Sequence, residues 1–67
     1  MQYHFLDDIG KPYGLTRYQA QAIVKRHSLR RARIHGLVAI DAAGFEQAAE
    51  AEGYRLLPGW QKVQEAR

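Results

Sequence analysis

The sequence predicts a small α+β domain, mostly helical, in which a helix, a turn and a capped second helix are followed by a β-hairpin, a third helix and a short closing helix. Three observations predict it. Apolar residues recur at helical spacing in separate stretches, the period changes after Ser28, and Gly10, Pro12, Gly14 and Gly53 fall where stretches end.

Tyr3, Phe5, Leu6 and Ile9 have helical spacing, so a first helix is expected over about 4 to 10, stopped by Gly10 and Pro12. Gly14 is a turn residue. Thr16 can cap a second helix over about 17 to 27, where Ala20, Ile23, Val24 and His27 form the packing stripe and Arg17, Gln21 and Lys25 a free ridge. In the hairpin that follows, Ala32, Ile34, Val38 and Ile40 share one face if the loop is three residues, His35-Gly36-Leu37. A two-residue His-Gly turn would pair Ile34 with Leu37 and mix the faces, so the longer loop is preferred. Asp41 is placed to cap the third helix, AAGFEQAAEAE, with Phe45, Ala48, Ala49 and Glu52 inward, Gly44 weakening its start and Gly53 at its end. Residues 54–57 read as extended, and the last helix runs from about Trp60 to Ala66. The chain is read as one domain over 1–67, with its core at about 4–53 and a C-terminal extension at 54–67.

A chain of 67 residues, 46% hydrophobic and 25% charged, has room for one small core and none for a capacious active site. With no Cys there are no disulfides or thiolate sites, which fits a reducing cytoplasm. No stretch approaches the length of a membrane span, and the N-terminus lacks the order of a signal peptide, so a cytoplasmic location is expected.

The net charge of +3 is unevenly spread. Residues 1–35 carry seven Lys/Arg against Asp7 and Asp8, whereas residues 36–67 carry three against five acids. Arg17 to Arg33 holds six cations and no acid, the pattern of a polyanion-binding face.

FLDDIGKPYGLT as first helix and turn, RYQAQAIVKRHSL as second helix, RRARIHGLVAID as hairpin and AAGFEQA as third helix together resemble the winged helix-turn-helix of the excisionase and AlpA-like group of the MerR superfamily. The match spans about residues 4–50. The first helix is short and lacks the Ala found midway in many such units, where a small side chain permits close helix crossing, and the chain continues into RLLPGWQKVQEAR. The resemblance implies a recombination directionality factor or a small transcriptional regulator of a phage or mobile element that binds repeated DNA sites and often bends them.

In a helix-turn-helix the start of the second helix meets base edges, which makes Arg17, Tyr18 and Gln21 the expected sequence readers. Lys25, Arg26, Arg30 and Arg31 are expected on phosphates, and Arg33, His35 and Gly36 at a wing tip that can enter the minor groove. Leu37 could act there as an apolar wedge or contact the body of the domain. Tyr13 and Tyr18 adjoin the basic stretch, whereas Phe5 and Phe45 read as core, and Trp60 either closes the core or anchors a partner. His4, His27 and His35 share no metal-ligand spacing, Thr16 is used as a cap, and Asp7-Asp8 are adjacent and so point to different faces. No metal site, cofactor or catalytic group is therefore expected. Duplex DNA is the expected partner, with a second copy of the chain, as a dimer or cooperative array, or a recombinase beside it. The competing reading is a small phage-type inhibitor or adaptor that binds a protein or nucleoprotein complex through the same basic face, and structured RNA is a third.

Overall fold

Tyr3-His4-Phe5 folds as a strand rather than as the opening of the first helix. The computed structural model describes residues 2–60. Its elements run β1 (Tyr3–Phe5), α1 (Leu6–Ile9), a 3-10 turn (Lys11–Tyr13), α2 (Arg17–His27), β2 (Arg31–Ile34), β3 (Leu37–Asp41) and α3 (Ala42–Ala51). The class is α+β, with three α-helices against a three-stranded antiparallel sheet in the order β1-β3-β2.

The expected first helix over 4 to 10 is thus shortened at its start. Tyr3, His4 and Phe5 stand opposite Asp41, Ile40 and Ala39, giving β3 a partner on the side away from β2. That pairing satisfies backbone groups of β3 that a helical start would have left without a ladder. Leu6 and Ile9 of the remaining turn of helix are buried.

The hairpin also departs from expectation. Its turn has two residues, with Ile34 opposite Leu37 and Arg33 opposite Val38. His35 and Gly36 have φ of +52° and +78°, the positive values at both central positions that mark a type I′ turn, whose twist matches that of the flanking strands. The mixing of faces that argued against this turn carries little penalty, because β3 is the central strand and is covered on both faces. Ala39 lies between Phe5 and Ala32 on one face and Ile40 faces the core on the other, and both are fully buried. With two apolar faces, a single-face pattern was the wrong template.

α2 matches its expected span of 17–27. It ends where Ser28 takes φ +51°, with the Ser28 N–H on Lys25 O and the Leu29 N–H on Val24 O, a Schellman arrangement on a residue other than glycine. α3 ends the same way at Gly53, whose N–H bonds Glu50 O while the Tyr54 N–H bonds Ala49 O. Asp41 does occupy the N-cap of α3, but its side chain makes no capping bond. A Cβ at Gly44 would stand 3.0 Å from Asp41 Oδ2 and 3.5 Å from Leu29 Cδ2, so this glycine makes room where α3 meets the start of β2. His27 and Glu52, both expected on packing faces, are exposed and bonded to each other at the rim between α2 and α3.

The core is Ile23, Ile40 and Phe45 at the centre, with Leu6, Ile9 and Tyr13 closing one side. The Tyr13 and Phe45 rings meet at 6.2 Å and 60°. Tyr13 is therefore structural and not part of a basic face, and burial, with Glu46 and Glu50 nearby, pushes its hydroxyl pKa up to about 12. After α3 no regular element follows up to Trp60. Tyr54 and Leu56 pack on the core, the Leu57 N–H donates to Pro12 O at 2.7 Å, and the Leu57 side chain stands over Gly14. Trp60 is 51% exposed and does not close the core; residues 61–66 of the expected last helix lie outside the described residues.

α1 and α2 meet at a close approach. A Cβ at Gly10 would stand 2.9 Å from Leu15 Cβ and 3.3 Å from Ala20 Cβ, and the Leu15 N–H bonds Gly10 O. Gly10 and Ala20 supply the small surfaces that the missing mid-helix Ala would have given. Gly10→Ala keeps an allowed φ of −87° but overfills this contact. Thermal unfolding of that variant is expected to show a loss of about 1–3 kcal/mol, a fall in Tm of at least about 4 °C; an unchanged Tm would mean that the two segments separate without cost.

Candidate nucleic-acid interface

Thr16 fixes where α2 begins. Its Oγ1 accepts the Gln19 N–H at 3.2 Å, and Gln19 Oε1 accepts the Thr16 N–H at 2.9 Å, a reciprocal capping box. Arg17 is thereby the first helical residue, and Arg17, Gln21 and Lys25 line one ridge at four-residue spacing. Ala20, Ile23 and Val24 bury the opposite side. Of the three expected sequence readers, Tyr18 is 80% exposed, so it does not pack on α1; Arg17 is exposed and Gln21 half-buried one turn further on.

The four expected phosphate ligands are all exposed but not equivalent. Among the described residues no hydrogen bond or ion pair engages the side chain of Lys25, Arg30 or Arg31. Arg26 is instead gripped by Glu52, donating from Nε to Oε2 at 3.0 Å and from Nη2 to Oε1 in a bidentate pair. His27 Nε2 donates to the same Oε2 at 2.8 Å. At the hairpin tip Arg33 folds back so that Nη1 donates to Gly36 O at 3.2 Å, placing its guanidinium beside the His35-Gly36 turn.

Two further ion pairs cross from α1. Arg17 Nε lies 2.7 Å from Asp7 Oδ1, and Lys11 Nζ lies 2.8 Å from Asp8 Oδ1, a bond that raises the Lys11 pKa. The acid-free run from Arg17 to Arg33 is thus neutralised in part by acids distant in sequence. Only the unequal charge of the two halves hinted at this, since Glu52 stands 26 residues from Arg26.

A cleft of about 760 Å³ opens elsewhere, between β1, Tyr13, Phe45 and Trp60, and no cation from Arg17 to Arg33 lines it. Among the described residues no group of three His, Asp or Glu is placed to hold a metal ion, and no helix is long and apolar enough to cross a membrane. No protein-family model, curated protein or solved structure matches the chain.

Arg26 first and His27 second hold the Glu52 carboxyl below its ordinary value of 4.5. A carboxyl depressed in the folded state stabilises it above the unfolded value and loses that contribution as pH falls through the folded one. The difference in Tm between the wild-type chain and Glu52→Gln should therefore be constant at neutral pH and shrink below about pH 4.5; a gap that persists unchanged to pH 3 would show that the charge of Glu52 contributes nothing.

Proposed function

We propose that this chain is a small winged helix-turn-helix that binds double-stranded DNA in a sequence-specific way, with α2 as the reading helix and the β2–β3 hairpin as the wing. The observation that carries the reading is the capped start of α2, which presents exposed Arg17 and Tyr18 beside Gln21, next to Lys25, Arg30 and Arg31 that have no acidic partner among the described residues. Arg17 suits the acceptor pair of guanine and Gln21 the edge of adenine. The free cations suit phosphates, whose neutralisation releases counterions and ties affinity to salt. An excisionase-like recombination directionality factor, or a small regulator of a phage or mobile element, is the role in keeping with this reading and with the resemblance.

The test is selection of wild type and Arg17→Ala/Gln21→Ala from random duplexes at two salt concentrations. Wild type should enrich a motif, and the variant should lose it, at about 1–3 kcal/mol per base contact, while keeping salt-dependent binding. Weak, uniform binding by wild type would reject sequence reading and turn attention to a protein or RNA partner. Because Asp7 holds Arg17 in the free chain, Asp7→Asn should tighten binding to the selected duplex by up to about fivefold at low salt, measured by fluorescence anisotropy. Weaker binding by that variant would mean that Asp7 orients Arg17 for the base instead of competing for it.

A further inference from the structure

The hairpin tip carries an apolar pair that lies outside the core cluster. Ile34 and Leu37 flank the two-residue turn and stand directly opposite each other, hence on one face with Cβ atoms about 5 Å apart. They are 37% and 53% exposed, whereas Ala39, two residues along the same face of β3, is fully buried. Neither belongs to the core cluster or to the partly buried residues packed against it. Polar side chains here would leave the central core untouched, and the outer side of the pair is open to a partner.

The surroundings say what kind of surface that is. Arg33 lies across the turn with its guanidinium on Gly36 O, Arg31 precedes it on the same strand, and no acidic residue occurs between Asp8 and Asp41. Arg31 and Arg33 lie on the other face of β2 from Ile34, with Arg33 bent onto the turn, so the apolar tip is backed by cations and suits a partner with apolar material inside an anionic frame. A DNA duplex has this arrangement, with base faces stacked between two rows of phosphates, and apolar side chains carried into its minor groove are a known means of unstacking a base step.

We propose, resting on the duplex-binding reading above, that Ile34 and Leu37 form a wedge that enters the minor groove and separates the faces of one base step, kinking the DNA. The type I′ turn makes the tip narrow enough to lead, the paired strands make it stiff, and Arg33 beside the turn is placed to meet a phosphate next to the opened step. Unstacking is least costly at pyrimidine–purine steps, so such a step is required where the wing meets the site. This assigns specificity to positions that α2 does not touch.

The experiment uses the duplex that the wild-type chain enriches from the random pool, with 2-aminopurine placed in turn at each pyrimidine–purine step and a donor and acceptor dye at the ends. Saturation with wild type should raise 2-aminopurine fluorescence at one step and shorten the dye separation. Ile34→Ser/Leu37→Ser should lose both signals while still unfolding cooperatively, with a small loss of Tm, and keeping its salt-dependent binding. Wild-type binding with no 2-aminopurine response at any step overturns the wedge and leaves duplex binding standing. A double variant that keeps both signals overturns it equally. Failure of wild type to enrich any duplex removes the sequence-reading proposal and the wedge with it, and the exposed pair is then a protein-docking surface.

Discussion

The contact of Gly10 with Leu15 and Ala20 sets the position of α2, and the rest of the domain is arranged around it. With one turn of α1 and a 3-10 turn before it, α2 has little to lean on except this close backbone approach and the side chains it admits to the core. Ile23 and Val24 then reach Phe45 and Ile40, and α3 and the sheet close around them. A small core gains stability from each backbone that comes near, because there are few large side chains to share. The glycine at position 10 is what permits this proximity.

Electrostatics in the free chain oppose the concentration of charge that the sequence produces. Asp7, Asp8 and Glu52 come from the first helical turn and from the end of α3, and each takes a cation. The Asp7 and Asp8 pairs are exposed, so each contributes little to stability and yields readily to salt or to a competing anion, whereas Glu52 is more enclosed and grips Arg26 with both oxygens. What they leave is a narrower cationic surface than composition suggests, centred on Lys25, Arg30 and Arg31.

Much of this arrangement was legible in advance, for identifiable reasons. Thr16, three residues before Gln19, fixes the start of α2, and Gly53 fixes the end of α3, because caps are local and depend on residue type. β1 was missed because Tyr3, Phe5, Leu6 and Ile9 satisfy helical spacing as well as alternation, and only pairing with β3, far along the chain, decides between them. The His35-Gly36 turn was missed because alternation was judged against a sheet with one buried face. The ion pairs of Arg17 and Arg26 lie in tertiary structure alone, and charge counting within a segment does not find them. The same holds for the exposure of Ile34, which was expected on the packed face of the hairpin, whereas Leu37 was already weighed as an exposed tip residue.

The pairing of β1 with β3 has a consequence for how the chain folds. Residues 3–5 meet residues 39–41, so the N-terminal strand finds its place only once the intervening segment has been gathered in. The β2–β3 hairpin needs nothing beyond its own eleven residues and closes on the microsecond scale, as does a short capped helix. The sheet therefore joins two pairings of different entropic cost, a local hairpin and a long-range closure. The strand at the start of the sequence serves as a latch, and the cooperativity of the domain depends on its being shut.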